Sequence, residues 1–214
     1  MGGNTRLTDP AQYTRRVPKP ARKEFEKAVN SEKEGKTDAA IRHYQKAIDL
    51  APDFYAARNN LGSALLGKAQ FGEAREQFER VLQLNPSDAQ GYFNLANLGL
   101  LTQRYDEAEL WVQRGLSRQP DSAFGQFLQG SLYARSGRSK DAENALRRCL
   151  ELDPVMAKAH LALANLYLQQ RRNDAAAAEL RAFLESFPND TFAPKAKEVL
   201  KKLEGKADAA DLAH

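Results

Sequence analysis

Small and apolar residues recur along this chain at one fixed distance. Cut into 34-residue stretches, 21–54, 55–88, 89–122, 123–156 and 157–190, the sequence aligns with itself in four columns. The eighth position is small (Ala28, Gly62, Ala96, Gly130, Ala164) and the twentieth is alanine (Ala40, Ala74, Ala108, Ala142, Ala176). The twenty-eighth is aliphatic (Ile48, Leu82, Leu116, Leu150, Leu184), and the thirty-second is proline (Pro52, Pro86, Pro120, Pro154, Pro188). A period of this size means one supersecondary unit copied end to end. Two small columns let two antiparallel helices approach closely, and the aliphatic column is expected to fill the space between them. Each proline ends a helix, because it lacks an N–H and clashes with the preceding turn.

The pattern predicts an all-α chain of helix pairs. The first helix starts at Pro20, which suits a first turn, and runs to about Glu34, with Gly35 as a left-handed cap. The second helices start near Asp38, Phe71, Tyr105, Ser139 and Asp174, with Thr37, Asp106 and Ser139 available to cap N–H groups. After Pro188, the segment 191–204 puts Phe192, Ala196, Val199, Leu200 and Leu203 on one side and Lys195, Lys197, Lys201 and Lys202 on the other. Such a half-apolar helix covers the stacking face of the last repeat. Gly205 is expected to end it, leaving 205–214 as a disordered tail. Residues 1–18 are polar, contain Pro10 and Pro18 and lack periodicity, which predicts a flexible lead. One elongated domain, 19–204, lies between, since each repeat touches only its neighbours.

These columns carry a family resemblance. Asn60-Leu61-Gly62, Ala74, Phe78 and Pro86 stand where the tetratricopeptide repeat consensus has them, and the chain resembles a member of that family over about residues 21–190. The resemblance implies a right-handed α-solenoid of five 34-residue helix-turn-helix units plus a C-terminal capping helix. Two departures stand out. The aromatic expected at the fourth position is Glu24, Arg58, Tyr92, Gln126 and His160, a column mostly lost, and Gln129 replaces a leucine in the fourth unit. The run Arg16-Val17-Pro18-Lys19 looks like a joint to an upstream domain, as in many bacterial members built as repeat arrays.

Charge and chemistry narrow the function. The 32 Lys and Arg against 28 Asp and Glu give a net charge of +4, and the excess sits in residues 1–36, so no basic stripe runs along the repeats and nucleic acid is not the expected partner. The single cysteine, Cys149, occupies an interhelical position and reads as a small buried hydrophobe. Trp111 reads as cover for the outer surface or a neighbouring repeat. His43, His160 and His214 lack partners at metal-ligating spacing, and there is no Walker loop, GxSxG or GxGxxG. No enzyme, metal or cofactor is expected. No apolar run is long enough to cross a bilayer and residues 1–20 hold no signal-peptide core, which makes the cytoplasm the expected compartment.

The resemblance implies that the first helices line a concave groove, with positions two, five, six, nine, twelve and thirteen pointing into it. That assigns a peptide-binding groove to Phe25, Asn59, Asn60, Phe93, Asn94, Asn97, Phe124, Phe127, Leu128, Leu161 and Asn165. Aromatic rings there would take apolar side chains, and Asn amides would meet the backbone groups of an extended peptide. The lysine-and-asparagine clamp by which one subclass holds acidic chaperone tails is absent, since Phe25, Asn59 and Phe93 occupy the first lysine's place. An asparagine ladder like that in the repeats of O-linked N-acetylglucosamine transferase stops after Asn60 and Asn94. The expected function is a non-enzymatic scaffold holding an extended or helical segment of another protein. The alternative is a self-assembling or autoinhibited module, a possible homo-oligomer, whose groove takes the lead 1–18, with Tyr13 and Val17 as inserts, or a neighbouring chain.

Overall fold

The computed structural model of the chain describes residues 17–211, with side chains through residue 205. The expected lead lies outside the described residues except for Val17 and Pro18, as do Tyr13 and residues 212–214 of the expected tail. The described residues form eleven helices and no strand: α1 (Lys19–Lys33), α2 (Thr37–Leu50), α3 (Tyr55–Gly67), α4 (Phe71–Leu84), α5 (Ala89–Leu101), α6 (Tyr105–Leu116), α7 (Ala123–Arg135), α8 (Ser139–Leu152), α9 (Ala157–Gln169), α10 (Asn173–Ser186) and α11 (Ala193–Asp211). The fold class is an all-α helical-repeat solenoid. Two compact units meet in sequence between Gln119 and Pro120, the first holding α1–α6 and the second α7–α11.

Inside each hairpin the small columns do what their size allows. All five alanines at position twenty are fully buried. A Cβ added at Gly62 would stand 2.5 Å from Phe78 Cε1, and one at Gly130 would stand 2.7 Å from Leu146 Cγ. The space between paired helices is filled by position twenty-four: Tyr44, Phe78, Val112, Leu146 and Leu180 are all buried. This corrects the expectation for position twenty-eight. Only Ile48 is buried there, and Leu82, Leu116, Leu150 and Leu184 are half-buried. Leu82 packs onto the next repeat, its Cδ2 2.8 Å from where a Cβ at Gly91 would stand.

The turn between paired helices has one geometry throughout. Position fifteen takes a left-handed backbone in all five repeats: Gly35 (φ +72), Ala69 (+58), Gln103 (+60), Gly137 (+75) and Arg171 (+59). The next residue's N–H bonds back five residues, as in Lys36 N to Ser31 O at 2.8 Å and Arg172 N to Tyr167 O at 2.9 Å. That 6→1 bond satisfies a carbonyl the helix end would otherwise strand. The turn therefore forms even where three side chains resist positive φ.

The second helices end by a different rule. Ala51, Asn85, Asp153 and Phe187 are C-caps whose ψ, between 57 and 88, has left the helical region, and each precedes a proline whose ring disfavours the helical conformation there. The exception, α6, stops at Leu116, well before Pro120. The expected caps Thr37, Asp106 and Ser139 lie inside their helices, and no side chain caps α2, α6 or α8. Side-chain caps stand instead on first helices, Asp88 on α5 and Ser122 on α7. At the C-terminus, α11 continues past Gly205 to Asp211. One interior glycine costs only about 1 kcal/mol, and the residues after it, Lys206-Ala207-Asp208-Ala209-Ala210, include strong helix formers.

The lost aromatic column keeps one job. Arg58 Nε donates to Pro52 O at 3.0 Å, Tyr92 OH to Pro86 O at 3.1 Å, Gln126 Nε2 to Pro120 O at 3.5 Å and His160 Nε2 to Pro154 O at 3.1 Å. Four unlike side chains thus satisfy the same proline carbonyl, six residues upstream. Glu24 cannot donate, and it pairs instead with His43 Nδ1 at 2.7 Å and Lys27 Nζ at 2.5 Å. Those partners, Lys27 first, hold its carboxyl down to about 2.

Candidate functional site

The residues assigned to a groove separate into two groups. Phe25, Phe93 and Leu128 are buried to 1% exposure or less, which corrects their assignment as ligand contacts. Phe25 packs against Tyr44 and Phe54, with ring centroids 5.6 and 4.9 Å apart. Phe93 occupies room left by Gly115, where a Cβ would collide with its Cε1. A ring at position five of a first helix is drawn inward wherever the second helix leaves a gap, because burying it removes apolar area from water.

Asn59, Asn60 and Asn94 are buried too, and their amides are committed to the fold. Asn94 Nδ2 donates to Asn59 Oδ1 at 3.1 Å, and Asn59 Nδ2 donates to Asp88 Oδ2 at 2.9 Å. Asp88 Oδ1 accepts from Gln90 N at 2.9 Å, and Gln90 Nε2 donates to Asn94 Oδ1 at 2.9 Å. The four residues close a circuit joining α3 to the start of α5. Burial pushes the Asp88 carboxyl above its ordinary value, against the pull of these donors. Asn60 Nδ2 reaches Tyr44 OH at 3.3 Å, and that hydroxyl donates to Glu32 at 2.9 Å. Asp88 and Gln90 were missed from sequence. An acidic residue just before a helix was the available signal for Asp88, and nothing linear marked its partner 29 residues back.

Accessible first-helix residues remain. In the second unit, Phe124, Phe127 and Leu161 are half-buried and Asn165 is exposed, while Phe192, just before α11, is 55% exposed. Phe124 and Phe127 are three apart on α7, and Leu161 and Asn165 are four apart on α9, so each pair shares a helix face. In the first unit Asn97, half-buried, is the one assigned groove residue that stays accessible, and Leu101, on the last turn of α5, is 55% exposed.

Titratable groups elsewhere serve packing. Cys149 is fully buried with its Sγ 3.2 Å from Met156 Sδ, and burial pushes its thiol up to about 12. Tyr167 OH donates to Glu143 Oε1 at 2.9 Å, and Arg172 Nη1 meets Glu143 Oε2 at 2.6 Å. Arg172 first, then Tyr167 and Arg147, hold that carboxyl below its ordinary value. Trp111 is half-buried against Tyr92, with ring centroids 5.9 Å apart. Among the described residues no three His, Cys, Asp or Glu side chains converge as metal ligands, and no helix is long and apolar enough to cross a membrane.

Known proteins place this architecture. A tetratricopeptide repeat family model matches residues 61–123 and 127–191, and a second TPR repeat model matches 33–69. DnaJ homolog subfamily C member 3 of Bos taurus is 43% identical over 54 residues, a match spanning 25% of this chain and only 11% of that protein's length. The crystal structure of TTC0263, a thermophilic TPR protein of Thermus thermophilus, superposes with a TM-score of 0.77 at 23% identity, over 84% of this chain and 98% of that one. A chain of the APC/C hetero-tetramer Cut9–Hcn1 gives a TM-score of 0.76 at 22% identity, over 86% of this chain and 36% of that one. With family models covering more than half of its length, the chain belongs to the tetratricopeptide repeat family.

Proposed function

We propose that this chain is a protein-binding scaffold that holds a polypeptide segment of a partner along the first helices of its second unit. A repeat fold of this family supports interaction with other proteins in general, and the Cut9–Hcn1 neighbour sits in a heteromeric assembly. The observation that carries the finer reading is the incomplete burial of Phe124, Phe127, Leu161 and Phe192 beside the exposed amide of Asn165. Folding has drawn the other groove-position rings, Phe25 and Phe93, into the core. Large apolar side chains left half-covered on adjacent first helices are what a partner's apolar side chains can cover, and a neighbouring amide meets the backbone between them.

The test is photo-crosslinking in cell extract, with p-benzoylphenylalanine placed at Phe124, Phe192 or, on an outer helix face, Glu151. The expected result is the same partner band from Phe124 and Phe192 and none from Glu151. A partner captured from Glu151 alone would place binding on the other face and end the proposal. A partner found on the first helices should also be lost on joint substitution Phe124→Ala, Asn165→Ala and Phe192→Ala, with the melting temperature nearly unchanged.

A further inference from the structure

Positions four and twenty-three of each repeat face one another across the hairpin. Glu24 meets His43 at 2.7 Å, Arg58 meets Gln77 at 2.9 Å and His160 meets Glu179 at 2.8 Å, while the Tyr92 and Trp111 rings pack 5.9 Å apart. The fourth repeat breaks the series. Its position four is Gln126, its position twenty-three is Ala145, and the missing side chain leaves a cavity of about 280 Å³. Gln126, Gln129 and Tyr133 of α7, Arg138 of the turn, and Asp141, Asn144 and Ala145 of α8 line it, with the Arg138 guanidinium 3.9 Å from the Tyr133 ring centroid and its Nε 3.1 Å from Asp141 Oδ2.

The preceding repeat shows what such a space can hold. There the Trp111 indole lies against Tyr92, with the Arg114 guanidinium 5.1 Å from its ring centroid. Its Nε1 is buried without a hydrogen-bond partner among the described residues. Around the cavity a ring and a guanidinium are again at hand, in Tyr133 and Arg138. Asp141 stands at the position of Glu107 and pairs with Arg138, whereas Arg148, at the position of Arg114, pairs with Asp121 and Glu151 outside the lining. One N–H of the Gln126 amide reaches the Pro120 carbonyl at 3.5 Å, which leaves its oxygen and its second N–H for the cavity. The volume lies just under the roughly 300–1,000 Å³ usual for small-molecule sites, which suits a single side chain better than a metabolite. A planar occupant with apolar faces and a single donor can lie beside the Tyr133–Arg138 pair in this open cleft and meet the amide oxygens of Gln126, Gln129 or Asn144, and indole is that group.

We propose that this cavity receives the indole ring of a tryptophan from a partner polypeptide, in the place that Trp111 fills in the repeat before it. The site lies on the α7–α8 cleft, at positions four, seven and eleven of α7, and does not depend on the first-helix face described above.

Titration of the ¹⁵N-labelled chain with N-acetyl-tryptophanamide tests this through the side-chain amide signals of Gln126, Gln129 and Asn144. The expected result is saturable shifts of these signals with a Kd of about a millimolar, as a fragment of that size allows. The leucine analogue should bind at least several-fold more weakly. Ala145→Trp should weaken binding tenfold or more while keeping or raising the melting temperature, and Ala145→Ser, which keeps the space, should bind like the parent. Should Ala145→Trp fail to fold, Ala145→Leu supplies the partly filled cavity and should bind in between. Unmoved amide signals, or equal affinity for the tryptophan and leucine compounds, would overturn the proposal, as would undiminished binding to the filled variant.

Discussion

Asn59 sits inside a closed set of hydrogen bonds, which makes its removal a quantitative test of how adjacent repeats are joined. Asn59→Ala deletes the acceptor for Asn94 Nδ2 and the donor to Asp88 Oδ2, at 3.1 and 2.9 Å. Asn94 is 2% exposed, so water does not readily replace the lost partner. With about 1–3 kcal/mol for each buried polar group left unsatisfied, the two strandings together cost about 2–6 kcal/mol. Asn94→Ala strands Asn59 Oδ1 and frees Gln90, which is half-buried and can turn to water, for about 1–3 kcal/mol. The double variant removes the Asn59–Asn94 bond once where the single variants count it twice. Its cost should therefore fall short of their sum by about 1–2 kcal/mol. Urea unfolding of the full chain followed by circular dichroism measures all three, with a constant m-value guarding against a changed transition. Additivity within about 0.5 kcal/mol would refute the idea that the circuit acts as one unit.

Three further outcomes are expected. Gly115→Ala drives a Cβ into Phe93 Cε1 and should cost about 1–3 kcal/mol in urea unfolding, part of which returns when Phe93→Leu is added. Gln103→Gly relieves a left-handed backbone at φ +60 and should raise stability by about 1 kcal/mol, with Gly137→Ala moving it the other way. His160 has acceptors at both ring nitrogens, Glu179 at 2.8 Å and the Pro154 carbonyl at 3.1 Å, and Glu179 above all raises its pKa beyond the ordinary 6.5. The stability it lends is complete below 6.5 and is lost as pH rises through the raised value, so His160→Gln should flatten the alkaline fall of the melting temperature and leave its acid side alone. An unchanged alkaline slope would show that the imidazolium contributes nothing.

Much of the fold was legible before any coordinates. The alanines of position twenty and the prolines of position thirty-two mark contacts that tolerate one size or one backbone shape, and such constraints survive in a single sequence. The left-handed turn was legible only at Gly35 and Gly137. Ala69, Gln103 and Arg171 adopt it under the pull of the 6→1 bond, which no residue type announces. Position four looked degraded because its side chains differ, yet four of them donate to one carbonyl, a geometric role open to Arg, Tyr, Gln or His. The candidate site was least legible. A phenylalanine at position five is equally apolar whether it faces a partner or the core, and Gly115, 22 residues on, decides for Phe93.

The sequence by itself determined the repeat length, the all-helical class, the hairpin pairing and the family, because periodicity and local sterics act over a few residues. Only the tertiary structure decided which aromatic and amide side chains remain reachable, which are committed to one another, and where a repeat lacks the side chain its neighbours have. Those outcomes depend on distances between residues some 20–35 positions apart, where one alanine or glycine changes what fits and so whether a ring or amide is buried or left for a partner.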